Sequence, residues 1–235
     1  MDEKDDGLNI VPYNVQKHGE QVQDLMNKYL IPTYLKRMGL RVGEVTDKYY
    51  LAEDVLHPQA AMNTKFEEGF SFVAVDKSYR VLGCHLCYHV TKKQFKSDFV
   101  DSNYEIMNDD SYKESVRKYC QHRYAVCRDW PDLYDTYGME KILYMESVIL
   151  HPDIRGGHTH HKLELSSVVA CDERHGILVE GMWPVKKFLE VHPESSVGQV
   201  LGDVEEHTGF VLIERNLSYD GYVTPVYFRP PKNCA

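Results

Sequence analysis

Apolar residues recur along this chain at two periods, and the periods divide it into strands and helices. Residues 9–15 read as a first strand, which Pro12 restricts to a sheet edge. Over residues 19–30, Val22, Leu25, Met26, Tyr29 and Leu30 share a helical face, and Pro32 is expected to end that helix. Residues 45–55 read as a second helix, stopped by His57-Pro58. Residues 70–76 alternate like a half-buried strand, 77–80 make a hairpin turn and 81–90 return as its partner. Gly83 inside that partner marks a bulge or a close approach. Residues 92–108 are polar and read as loop.

Residues 111–130 carry Val116, Tyr119, Tyr124 and Cys127 on a broken helical stripe that Pro131 closes. Residues 142–150 form a strongly apolar strand. A helix over 162–174 is expected to bury Leu163, Leu165, Val168, Val169 and Cys171, with Gly176 as its C-cap. A strand at 177–183, helices at 184–191 and 195–207, and strands at 210–215 and 222–228 complete the chain. The order β-α-α-β-β-α-β-α-β-α-β-β implies an α/β fold around one sheet. It also implies a polar tail over residues 1–8 and a single domain over 9–235, with no repeat, linker or low-complexity tract.

Charge and cysteine usage narrow the partners. A formal charge of −9 disfavours nonspecific nucleic-acid or anionic-membrane binding and mildly favours cationic ligands such as amines. Seventeen tyrosines point to a pocket or surface rich in amphipathic rings. Residues 1–7 are polar and acidic, and no apolar run approaches the ~20 residues of a membrane span. The six cysteines are therefore expected as reduced thiols in a cytoplasmic protein. Cys84 and Cys87 have CxxC spacing but lie on a strand, where i and i+3 face opposite sides, so they read as structural.

Residues 143–176 carry the most chemistry. An apolar strand runs through a His151-Pro152-Asp153-Ile154-Arg155-Gly156-Gly157 turn directly into a helix. Backbone N–H groups at the positive end of a helix dipole form a ready site for a pyrophosphate. This stretch resembles motif A of the GNAT superfamily of acetyl-CoA-dependent N-acetyltransferases, V-x-P-x-x-R-G-x-G-x-G/A, in degenerate form. Leu150 through Gly157 fit its first part, and His158 and His160 stand where glycine, and glycine or alanine, are usual. Glu206-His207-Thr208-Gly209-Phe210 is similar to the family's Gly-Phe ending of the fourth helix. The polar insert and the tyrosine-rich tail resemble the invertebrate arylalkylamine N-acetyltransferase-like branch, whose best-known activity is acetylation of dopamine and related amines.

The resemblance implies a mixed central sheet of about seven strands flanked by helices, with strands four and five splayed. It implies that Val148, Ile149 and Leu150 offer an edge to the pantetheine arm. Arg155, Gly156, Gly157, His158, Thr159, His160 and His161 would hold the pyrophosphate. His158 and His160 either keep their amides available or crowd the phosphate. Strand-four positions facing the substrate in this family correspond to Tyr144 and Glu146, and Glu146 would be the general base. Its alternative is a strand carboxylate paired with a Lys or Arg. The branch's usual helix-one glutamate falls in residues 30–35, where Tyr34 stands instead, and its usual acid tyrosine falls on Glu205. Ser195 and Ser196 fall near serines that the branch places around the thioester, or simply cap the following helix.

The implied activity is acetyl transfer from acetyl-CoA to a small amine, arylalkylamines included, by direct attack in a ternary complex. Tyr34 and Tyr144 would line the amine pocket, or else serve as ordinary core tyrosines. The alternative is a catalytically impaired GNAT-fold module that binds CoA or another protein. Monomer and homodimer are both compatible. His158, Thr159, His160 and His161 also raise a metal site, but His158 and His161 share one side with no Asp, Glu or Cys expected to complete the shell, so no metal is expected.

Overall fold

Asn14 sets the first boundary. Its backbone is extended and its side chain accepts a hydrogen bond from the Lys17 amide at 3.0 Å, capping a helix that begins one residue later. The first strand, β1 (Asn9–Pro12), therefore stops three residues short of its expected end, and helix α1 (Val15–Leu25) starts earlier than expected. The computed structural model describes residues 7–52, 56–62, 66, 68–155, 158–171, 175–180, 183–184, 210–214, 218–219, 222–223 and 226–231. The expected helices at 184–191 and 195–207 lie outside the described residues, save Pro184, as do Ser195, Ser196, Glu205, Gly156 and Gly157.

Pro32 does not end the helical run. A π turn over Met26–Leu30 follows α1, and α2 (Ile31–Arg37) opens with Pro32 in its first turn. Proline is tolerated there because a first-turn N–H has no intrahelical partner to lose. In place of the second expected helix at 45–55 there is a 3₁₀ turn over Asp47–Leu51, preceded by another at Val42–Glu44; residues 53–55 lie outside the described residues.

The chain forms two compact units, one of residues 1–89 and 145–172, the other of 90–144 and 173–235. In the first unit β1 pairs antiparallel with β2 (Phe72–Val75), from Asn9 opposite Val75 to Pro12 opposite Phe72. Strand β2 pairs antiparallel with β3 (Val81–Thr91), with a register shift between Ala74 and Val75. The connecting turn is held by Asp76, whose carboxylate accepts from the Ser78 and Arg80 amides, and Tyr79 takes φ 59°. Strand β4 (Lys141–Leu150) enters this unit at Met145. Gly83 marks a close approach: a Cβ there would lie 2.8 Å from Leu150 Cδ2 and 3.2 Å from the Ile149 carbonyl.

Helix α7 (Thr159–Ala170) packs against β1 and β2. Its buried stripe is Thr159, Leu163 and Ser167, four residues apart. Leu163 is buried as expected, but Leu165 and Val169 are 62% and 74% exposed. The helix starts three residues earlier than the apolar pattern indicated, and small polar side chains, not the largest apolar ones, face the sheet.

The second unit begins where a loop was expected. Thr91 caps α3 (Lys92–Phe95) in a capping box with Gln94. A π turn (Lys96–Asp101) and α4 (Ser102–Met107) continue it, burying Phe95, Val100, Asn103 and Ile106. Helix α5 (Glu114–Cys127) follows, and Pro131 opens α6 (Pro131–Thr136) instead of closing α5. Strand β5 (Gly176–Glu180) pairs antiparallel with β10 (Val226–Arg229), which pairs antiparallel with β7 (Val211–Glu214). Gly176 opens that strand and is not a helix cap; a Cβ there would lie 2.8 Å from the Phe228 ring. Three two-residue strands, β6 (Trp183–Pro184), β8 (Ser218–Tyr219) and β9 (Tyr222–Val223), form a separate small sheet.

The class is therefore mixed α/β, as the element order implied. Cys84, Cys87, Cys120, Cys127 and Cys171 are buried thiols and none is in a disulfide. Among the described residues no helix is long and apolar enough to cross a membrane.

Candidate functional site

Strand alternation puts Tyr144, Glu146, Val148 and Leu150 on one side of β4. Glu146 is half-buried and accepts a hydrogen bond from the Tyr88 hydroxyl at 3.1 Å. Tyr88 lies on β3 and is itself buried, its ring edge-on to Phe66 at 6.1 Å. The phenol fixes the direction in which the carboxylate points. Sequence reasoning missed Tyr88; aligning the alternation of residues 81–90 with that of 142–150 was the available signal.

Tyr144 belongs to the second unit and is 2% exposed there. Its ring meets Phe99 at 5.1 Å and Phe95 and Trp130 at 6.5 Å, within the range of favourable aromatic pairs. Tyr34 is half-buried on α2 in the first unit. Val148 and Leu150 are half-buried and Ile149 is buried.

The β4–α7 connection is tied down at several points. The His151 amide donates to the Leu82 carbonyl at 2.7 Å. Residues Pro152–Ile154 make one 3₁₀ turn. Arg155 is exposed; its Nε donates to the Leu150 carbonyl at 3.2 Å and its guanidinium lies 5.6 Å from the centre of the Tyr29 ring. Tyr29 also meets the His151 ring edge-on at 5.6 Å. The arginine is thus held against the π turn that follows α1 by a cation–π contact. Tyr29 had been assigned only to a helix face, and nothing in its spacing marked this second contact.

Helix α7 opens at Thr159, with His158 as N-cap at φ −79° and ψ 0°. Any L-residue adopts that conformation, so glycine is not needed at 158. His158 is exposed and its carbonyl accepts from the Lys162 amide, while Thr159 is buried. The first-turn amides of such a helix have no partner within it.

The expectation that no carboxylate completes the histidine cluster is corrected. Because α7 starts at Thr159, Glu164 stands one turn beyond His160 and His161 on the same side. His160 Nε2 lies 3.1 Å from Glu164 Oε1, and His161 Nδ1 lies 4.0 Å from Oε2. The bond to Glu164 raises the pKa of His160 against the opposing effect of burial. Burial pushes Glu164 up, but His160, with His85 and His161, outweighs it and holds the carboxyl below its usual range. Behind this pair His85 is fully enclosed and burial pushes its pKa down to about 4, so it is neutral. Its Nδ1 lies 2.9 Å from the Ser167 hydroxyl, and its ring lies 3.8 Å from Cys87 Sγ. Burial raises the Cys87 thiol to about 12, so it is no nucleophile.

Comparison with solved structures bears on the fold. The chain is similar to an arylalkylamine N-acetyltransferase from Aedes aegypti, with a TM-score of 0.59, 12% identity, and 97% of this chain and 100% of that one covered. An agmatine N-acetyltransferase matches with a TM-score of 0.56 and 14% identity over 95% of this chain and 99% of that one. A polyamine N-acetyltransferase from Drosophila melanogaster gives 0.56 and 12% over 94% and 98%. The chain has the fold of the GNAT acetyltransferases. No protein-family model and no curated protein sequence matches the chain.

Proposed function

We propose that this protein is an acetyl-CoA-dependent N-acetyltransferase of the arylalkylamine-like GNAT branch, acting on a small amine by direct transfer in a ternary complex. The observation that carries the reading is the β4–α7 connection. A 3₁₀ turn follows β4, and a twelve-residue helix opens at Thr159, in a fold shared with amine acetyltransferases. In this reading strands four and five of a roughly seven-stranded sheet splay. Val148, Ile149 and Leu150 pair with the pantetheine arm. The amides from Gly156 to His161, with Arg155, take the pyrophosphate.

Glu146 is the general base that takes a proton from the attacking ammonium, and Tyr88 orients it through the 3.1 Å hydrogen bond. The free amine then attacks the thioester carbonyl, forming the N–C bond as the C–S bond breaks. The departing thiolate takes up the second proton lost from the nitrogen and leaves as CoA, and the nitrogen is left as the neutral amide. Tyr34 is the candidate contact for a cationic amine with an apolar or aromatic body, while Tyr144, enclosed by Phe95, Phe99 and Trp130, fits the core-tyrosine alternative. The protein acts as a monomer or homodimer in the cytoplasm, without a nucleic acid or membrane partner.

One observation favours a second reading, a CoA-fold module impaired in transfer. Glu164 brings a carboxylate to the second turn of α7, where a pyrophosphate would feel its charge, offset by the His160 partner. Calorimetric titration with acetyl-CoA tests the cofactor site common to both. Saturable binding supports it, and no heat at millimolar ligand rejects it.

A further inference from the structure

The geometry points to a divalent transition-metal site on the first turns of α7, formed by His160, His161 and Glu164, for an ion of Zn²⁺ type. The three donor atoms already lie within 4.8 Å of one another. In a tetrahedral shell with bonds of about 2.0–2.1 Å, donor atoms stand roughly 3.3 Å apart. The 3.1 Å and 4.0 Å separations of the two imidazoles from Glu164 bracket that spacing, so small torsions of exposed side chains close the shell. Two imidazole nitrogens and one carboxylate oxygen suit zinc and its neighbours better than calcium or magnesium, which prefer all-oxygen shells.

The three side chains differ in how firmly they are held. Glu164 is 34% exposed and already lies within reach of both imidazoles. His160 is 40% exposed and already directed at Glu164. His161 is 77% exposed and is the arm that swings in. Ser167, one turn beyond Glu164, and the neutral His85 form a buried polar layer beneath the ligands. Three protein ligands leave a position for water or an anionic ligand, as in open zinc sites. The cluster is legible in the sequence as His-His-x-x-Glu only once the helix start is known, because the i+3 and i+4 spacings converge only on a helix.

The test is calorimetric titration of the metal-stripped full-length protein with zinc chloride, with no CoA present, so its outcome is independent of the acyl-CoA reading. One equivalent should bind saturably. His161→Ala and Glu164→Gln should each weaken binding about tenfold or more, equal to about 1.4 kcal/mol. His161→Ala removes a side chain that is 77% exposed, so its metal-free melting temperature should match that of the native chain. Cobalt(II) should give visible absorption bands with the native chain and lose them in both variants. No saturable heat, or unchanged affinity in both variants, overturns the proposal.

Discussion

Glu146 and His85 are both polar side chains drawn from the sheet of the first unit, yet they face opposite tasks. Glu146 is half-buried and accepts a hydrogen bond from the Tyr88 phenol. If it is the base, Glu146→Gln should lower turnover by about 10²-fold while acetyl-CoA affinity is unchanged. Tyr88→Phe should have a smaller effect, read in the same CoA-release assay. A Gln variant with native turnover and an unaltered pH–rate profile removes Glu146 from the role. His85 is enclosed and neutral, with a folded pKa near 4 against 6.5 for the ordinary imidazole. The unfolded chain binds that proton first, so stability should fall as pH drops from about 6.5 towards 4, by on the order of 3 kcal/mol. Glu164, held below its usual range by His160, adds loss as it protonates, while His160, raised by that same bond, binds its proton more tightly in the folded state and offsets part of the fall. Urea midpoints at pH 7 and pH 4.5 measure this, and His85→Gln should flatten the dependence. A native midpoint that does not move with pH would show that His85 carries no such charge penalty.

Elements were legible where one period dominated. The strands over 81–90 and 142–150 and the turn at Asp76 were readable because their alternation and turn residues agree. Residues 92–108 were not, because the π turn spaces Phe95 and Val100 five apart and breaks the 3.6-residue pattern. Pro32 and Pro131 misled in the same way: each was taken to end a helix and each sits in a first helical turn. Helix α7 was found, but its buried face only in part: Leu163 and Cys171 are buried as expected, whereas Thr159 and Ser167 carry no hydrophobic signal. If Phe95 anchors the segment taken for a loop, Phe95→Ala should cost about 3–5 kcal/mol in chemical unfolding. The ring is fully buried and stacks on Phe99 at 4.5 Å. A cost below 1 kcal/mol would mean that α3 and α4 contribute little to the second unit.

At the scale of the whole molecule, fold and function carry different weights of support. The α/β class followed from the order of elements, and the shared fold with amine acetyltransferases follows from superposition at 12–14% identity. Strand alternation made β4 and its turn toward α7 readable, and the resemblance nominated Glu146, whereas the contacts of Tyr88, Tyr29 and Glu164 needed the third dimension to join residues distant in sequence or to fix a helix start. Chemistry does not follow from the fold alone, because sites on one fold diverge. The decisive measurement is CoA release from acetyl-CoA across arylalkylamines, polyamines, amino acids and basic peptides, with the N-acetylated product identified by mass. The transferase reading predicts turnover with small amines, strongest for arylalkylamines, and its loss in Glu146→Gln. No release above the uncatalysed rate with any acceptor, despite saturable acetyl-CoA binding, would contradict it.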